Sequence, residues 1–402
     1  MPFRPLLASY GRGHVQIISA LAKAMIARGD EPHIIGFTTA YADLCEAGLE
    51  ALTVSCLIDE AEDSEWLALA DQFTSGVSHP KVSAEDTRVY FAVGLKDLSA
   101  KTSKAEAIEK VKQEGRLAFE PIETMRRYLR KTKPDFVVST TSPRFELALL
   151  KAARLEGIPN LAIGDLFLIA ESDYMVDPLY AENIAVLSDA VAGFLAGRGI
   201  AEASLHVTGN PAFDSLAAMM QDTKKRQSLR QTLDMTDKTV ILFPAPSAKI
   251  SEIGRPYADV LQVVSELEQF CDDNADYAFI IREHPNAALT LPQLRNGYRD
   301  DGSLMTAEEA ILMSDIMCVE VSTMGLQASL MAKPVFIINF GDHFPLPKYG
   351  LAEGVNSLSE ALSLIQSGRL PNTTMSEKKE IVPASQRVLA CIDKIRADYK
   401  GD

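Results

Sequence analysis

The stretch FRPLLASYGRGHVQIISALAKAMIARGDEPHIIGF, Phe3 to Phe37, decides the fold. Phe3 to Ser9 is a short apolar run that reads as the first strand. Ile17, Ile18, Leu21, Ala22, Met25 and Ile26 then recur at helical spacing between Val15 and Arg28. Gly29-Asp30 ends that helix, and Pro32 to Phe37 is a second strand. A strand, a glycine-marked loop, a helix and another strand open a doubly wound parallel sheet.

The same alternation continues outward. Residues 60–130 are polar and helix-rich, with a charged stretch from Lys101 to Glu114, and read as an insertion or helical flank. Phe136 to Thr140, Asn160 to Ile163, Asn183 to Ser188 and Leu205 to Thr208 read as strands, with a helix from Phe145 to Glu156. Gly209-Asn210-Pro211 reads as a hinge before a helix from Ala212 to Met220. The second half restarts with a strand at Thr239 to Pro244, a helix at Tyr257 to Asp272 and a strand at Tyr277 to Arg282. Ile311 to Met313, Ile316 to Glu320 and Pro334 to Asn339 carry the alternation on, and Ala384 to Tyr399 is a closing helix that can cross back to the first domain. The expectation is an α/β protein of two Rossmann-like doubly wound domains facing across a cleft. The first is 1–210 with a helical insertion at about 60–130, the second is 211–383, and 384–402 is the terminal helix.

The chain has 402 residues, 47% of them apolar, which is enough for two cores. Its net charge of −15 argues against nucleic acid or an anionic membrane surface as a main partner. An anionic ligand must therefore be held by local donors. The cysteines Cys45, Cys56, Cys271, Cys318 and Cys391 are odd in number and form no close pair or zinc spacing, which fits reduced, mostly buried thiols in a cytoplasmic protein. The opening residues lack a signal-peptide layout, and no apolar run has bilayer-spanning length, so no integral membrane segment is expected.

Two loops carry most of the chemistry. In Ser9-Tyr10-Gly11-Arg12-Gly13-His14, Gly11 and Gly13 allow close backbone approach, and His14 sits at the helix start as a proton acceptor or donor or as a capping residue. In Glu320-Val321-Ser322-Thr323-Met324-Gly325-Leu326-Gln327-Ala328, Ser322 and Thr323 offer hydroxyls at a helix N-terminus, either to an anion or as plain caps. Arg282-Glu283-His284-Pro285-Asn286 follows a strand, where His284 can reach a phosphate and Arg282 either joins it or pairs with Glu283. Ser247 and Lys249 lie on the turn after the first strand of the second half. Asp165, at the end of a strand, is the best-placed carboxylate for acid–base work, with a turn cap as the alternative. Glu146 reads as a helix-face residue, Asp272-Asp273 and Asp300-Asp301 as solvated loop pairs, and His343 as a cleft-lining candidate. His33, His79 and His206 read as packing or surface residues.

Together these motifs resemble the two-Rossmann-domain sugar-nucleotide enzymes: the GT-B glycosyltransferases and the UDP-N-acetylglucosamine 2-epimerases. The resemblance spans nearly the whole chain. It rests on Gly11-Arg12-Gly13-His14-Val15, on Val207-Thr208-Gly209-Asn210-Pro211-Ala212-Phe213-Asp214, on His284-Pro285-Asn286, and on Ser322 to Ala328 followed by Lys333-Pro334-Val335. The last two are similar to bacterial capsule and cell-wall polymer transferases. The resemblance implies a nucleotide sugar held mainly by the second domain, with His284, Ser322 and Thr323 on its phosphates and Gly325 and Gln327 shaping the pocket. It implies a glycan or lipid-linked acceptor on the first domain, with His14 facing the reacting groups. No cofactor or metal is expected, since helix dipoles and side-chain donors stabilise the departing diphosphate. A homodimer is compatible with it.

The sequence departs from the epimerase pattern. That pattern has an arginine- and lysine-bearing first loop, a histidine in the second domain's first loop and a glutamate after the Gly-x-Gln turn. Here Pro244 to Lys249 holds no histidine and Ala328 follows Gln327. Glycosyl transfer in glycan or surface-polysaccharide synthesis is thus the first reading. The second is an epimerase or nucleotide-sugar hydrolase, and the third a binding protein without chemistry.

Overall fold

The computed structural model describes residues 2–11, 13–246, 257–284, 287–339, 346–371 and 382–401. Arg12, Ser247, Lys249, Pro285, Asn286 and His343, all considered above, lie outside them.

Two compact units divide the chain, 1–214 with 382–402, and 215–381. The first holds β1 (Pro5–Ser9), β2 (His33–Gly36), β3 (Leu52–Thr53), β4 (Phe136–Thr140), β5 (Asn160–Ile163), β6 (Asn183–Val186) and β7 (Leu205–Val207). They pair in parallel in the order β3-β2-β1-β4-β5-β6-β7. The second unit holds β8 (Thr239–Pro244), β9 (Tyr277–Arg282), β10 (Gly297–Asp300), β11 (Ile316–Val319), β12 (Val335–Ile338) and β13 (Glu353–Val355), parallel in the order β10-β9-β8-β11-β12-β13. Each sheet reverses its winding once, between β1 and β4 and between β8 and β11. At such a switch point adjacent loops diverge and leave a crevice at the strands' carboxyl ends.

Helix Gly13–Arg28 buries Val15, Ile17, Ile18, Leu21, Ala22 and Met25 on the sheet face formed by Leu7, Phe136 and Val138. Ile26, expected on that face, is 51% exposed. Val388, Leu389, Ile392 and Ile395 of the terminal helix Ala384–Gly401 join the same core. A fully buried side chain of this size contributes roughly 1.5–3 kcal/mol, so the terminal helix is integral to the first unit. It is also clamped by polar contacts. Asp214 accepts from the Ala384 and Ser385 amides at 2.6 and 3.0 Å, and the Arg387 guanidinium donates to the Thr208 carbonyl at 2.6 Å.

Between β3 and β4, helices Ser64–Thr74, Ala84–Lys101, Lys104–Glu114 and Ile122–Thr132 build a second layer on the other sheet face. Its aromatic centre is Tyr90, stacked on Phe145 at 4.1 Å between centroids and close to Phe119 and Phe91.

The structure corrects several details. Ile311–Met313 is the last turn of helix Ala307–Met313, and the strands β3, β10 and β13 were not expected. Asp300 is fully buried at the end of β10, where Arg282 holds it. Only Cys271 and Cys318 are buried, and Cys45 is exposed. Among the described residues no helix is long and apolar enough to cross a membrane.

Candidate functional site

The first switch point is built around Glu146, in the first turn of helix Phe145–Leu155 and fully buried. Its Oε1 accepts from the Tyr10 amide at 2.6 Å. Its Oε2 accepts from the Thr140 hydroxyl at 2.6 Å and from the Ser142 amide at 2.7 Å. One carboxylate thus ties the loop after β1 to the loop after β4. Burial pushes its pKa up, while the nearby His14 charge and these donors pull against that rise. The loop after β2 completes the brace. The Thr38 hydroxyl donates to the Tyr10 carbonyl at 2.6 Å, and Thr39 lies against Gly11. A Cβ on Gly11 would stand 2.3 Å from the Thr39 Oγ1, and Gly11 has φ +149°, so only glycine fits.

His14 is the second residue of its helix, half-buried, with a buried Nδ1 that has no hydrogen-bond partner among the described residues. Asp165 follows β5, and a Cβ on Gly13 would meet its carboxylate at 3.7 and 3.8 Å. The carboxylate therefore sits at the N-terminal end of the His14 helix, whose dipole favours negative charge. Burial raises the Asp165 pKa, and the His14 charge and Asn210 oppose that rise. Asn210, 2% exposed, donates its side-chain amide to the Asp165 carbonyl. The Gly209-Asn210-Pro211 segment is thus a support for the site.

Above these groups opens a cavity of about 540 Å3, lined by Tyr10, Gly11, His14, Thr38, Thr39, Ser142 and Arg144 from the sheet loops, and by His79 and Arg116 among the residues of the helical insertion. The Arg144 guanidinium lies over the Tyr10 ring, 4.6 Å from its centroid, and the Tyr10 hydroxyl meets that of Tyr90 at 3.1 Å. Glu146, Arg144, Arg116 and His79 were not read as site residues. A glutamate early in a helix looks like a solvated face, and the other three belong to no motif. The sequence signal available was the position of Ser142–Glu146 beside the first loop once β1 and β4 are neighbours.

The other candidates lie in the second unit. The loops bearing His284 and Ser322 both follow carboxyl ends of the parallel sheet, with β8 between their strands. Ser322 is the N-cap of helix Thr323–Leu330 and accepts from the Met324 amide at 3.2 Å. Thr323 is exposed. Gly325 faces the sheet, where a Cβ would stand 3.1 Å from Val319 and 3.3 Å from Leu346; its small size serves helix–sheet packing, not a ligand-facing approach. The Gln327 side chain donates to Glu308 at 3.4 Å. Arg282 pairs with Asp300 and donates to the Met305 carbonyl at 2.9 Å, while Glu283 pairs with Arg299, so no Arg282–Glu283 pair forms. His284 forms an isolated bridge with Ala287. Among the described residues no group of three His, Cys, Asp or Glu is placed to hold a metal ion.

Two doubly wound parallel sheets, each with one switch point, define the GT-B type of fold, and the chain has that α/β architecture of two Rossmann-like domains. No protein-family model and no curated protein sequence matches it. Among solved structures it is similar to the UDP-GlcNAc 2-epimerase from Neisseria meningitidis bound to UDP-GlcNAc, with 13% identity over 98% of this chain and 100% of that one, at a TM-score of 0.61. The UDP-GlcNAc 2-epimerase from Methanocaldococcus jannaschii shares 13% identity over 98% and 100%, with a TM-score of 0.56. The glycosyltransferase SnogD from Streptomyces nogalater shares 15% over 98% and 100%, with a TM-score of 0.52.

Proposed function

We propose that this chain is a metal-independent glycosyltransferase that moves a sugar from a nucleotide-sugar donor to an acceptor seated in the first-unit cavity. The observation that carries the reading is the cavity itself. It opens at a switch point, is large enough for a sugar-sized acceptor, and has His14 on its wall, close enough to Asp165 and Glu146 for its charge to act on both carboxylates. In this reading the acceptor hydroxyl oxygen bonds to the donor's anomeric carbon. The bond from that carbon to phosphate breaks, and its electron pair leaves with the nucleoside diphosphate. The acceptor proton passes to His14, with Asp165 stabilising the imidazolium that forms. The Ser322 turn and His284 hold the departing diphosphate by a helix N-terminus and side-chain donors.

A second reading is an epimerase or nucleotide-sugar hydrolase. It is supported by the fold shared with UDP-GlcNAc 2-epimerases, and by a half-buried Asp165 whose raised pKa suits proton transfer. Nucleotide release from a donor panel, with and without acceptors, separates the two. Release that requires an acceptor supports the transferase, and donor consumption without one supports the epimerase or hydrolase.

A further inference from the structure

We infer that the cavity at the first switch point takes a phosphate-bearing ligand, held by Arg116 and Arg144. This rests on the transferase reading only in calling that ligand the acceptor. Arg144 and Arg116 make no ion pair or side-chain hydrogen bond among the described residues, in a chain with net charge −15 whose other arginines are mostly paired. Arg126 and Arg130 share Glu156, Arg226 and Arg230 share Asp315, and Arg282 holds Asp300. Asp86, beside the cavity, accepts from the hydroxyls of Ser83 and Ser55 at 2.6 and 3.0 Å, not from Arg116.

Each of these two guanidinium groups lies over aromatic rings. Arg144 lies 4.6 Å from the Tyr10 centroid, and Arg116 lies 6.0 and 5.9 Å from those of Tyr90 and Phe91. A guanidinium attracted to an aromatic face keeps its N–H donors for an oxyanion. The Arg144 Nε is buried with no partner among the described residues, a donor that costs free energy until something accepts from it. The Arg144 backbone sits at φ +74°, ψ −108°, a conformation an L-residue holds only when its surroundings demand it. His79 adds a donor. Its Nδ1 accepts from the Lys81 amide at 3.2 Å, which leaves the proton of the neutral ring on Nε2. Two guanidinium forks and an imidazole suit a phosphate, which offers more acceptor sites than one carboxylate.

The test is calorimetric titration of the full chain with glucose 1-phosphate, with glucose, and with a polyprenyl phosphate in detergent micelles, against micelles alone. A UDP-sugar is titrated in parallel. The expected result is binding of a phosphorylated probe, soluble or lipid-borne, that glucose does not reproduce. Arg116→Gln and Arg144→Gln should each weaken it at least ~10-fold while leaving UDP-sugar binding intact. Arg144→Lys, which keeps the charge and loses the fork, should fall between. If Arg144→Gln misfolds, Arg116→Gln alone decides. Equal binding of glucose and its phosphate, no binding of either phosphorylated probe, or binding indifferent to both arginines would overturn the inference. Failure of the UDP-sugar arm alone would instead count against the transferase reading.

Discussion

Glu146 accepts the Tyr10 amide at 2.6 Å across 136 residues of sequence, and this one contact joins the two loops that form the first switch point. Removing the carboxylate strands the Tyr10 and Ser142 amides and the Thr140 hydroxyl in a buried place. Glu146→Ala should lower the unfolding free energy by about 3 kcal/mol or more, at about 1–3 kcal/mol per stranded donor. Glu146→Gln keeps the shape and should lose less. Denaturant titration of the three proteins checks this, and equal stability of wild type and Glu146→Ala would show that the loops do not depend on it.

Gly11 is required by a neighbour and by its own backbone. Gly11→Ala puts a methyl against the Thr39 hydroxyl at positive φ and should cost about 1–3 kcal/mol. Thr39→Ala in the same chain should recover the steric part and leave the dihedral part. A double-mutant cycle with no coupling would refute this contact.

These contacts also mark how far the sequence could be read. The β1–loop–helix–β2 unit was legible because its apolar spacing changes period at a pair of glycines. Ser322 was legible as a helix start. Glu146 was not, because its partners Tyr10 and Thr140 become neighbours only after β1 and β4 pair. Arg116 and His79 were hidden in a helical insertion whose polarity looks like ordinary surface. The strand Gly297–Asp300 escaped notice because a sheet-edge strand of mixed polarity has no apolar run. Arg282 reads as a ligand contact or as the partner of Glu283, because Asp300, its actual partner, is eighteen residues away and reads as solvated.

The raised pKa of Asp165 makes two predictions. If Asp165 must be ionised for turnover, the acid limb of the rate profile lies above the ordinary aspartate value of about 3.9. For stability, the folded state binds this proton more tightly than the unfolded chain. The associated stabilisation is complete below the ordinary value and is lost as pH rises through the raised one. Asp165→Asn should abolish the slope and remove the contribution of Asp165 to the limb, leaving the one that His14 makes as proton acceptor. Rate profiles and chemical denaturation across the acid range measure each.

Lys333 gives the opposite case at high pH. Burial lowers its pKa to about 8, while its ammonium donates to the Ser314 carbonyl at 2.6 Å. The unfolded chain, with an ordinary lysine near 10.4, binds that proton more tightly, so stability should rise as pH climbs from about 8 towards 10.4. Lys333→Met should flatten that rise. A wild-type stability that falls monotonically over this range while the variant behaves identically would contradict it.

The most direct test compares nucleotide release (diphosphate from UDP-, CDP- and GDP-sugars, monophosphate from CMP-sugars) by wild type and His14→Ala, each donor with and without sugar-phosphate and polyprenyl-phosphate acceptors. Acceptor-dependent release by the wild type, reduced ~100-fold or more in a folded His14→Ala that still binds the donor, is the expected result. Release unchanged by His14→Ala, or none from any donor by a folded protein, would contradict it.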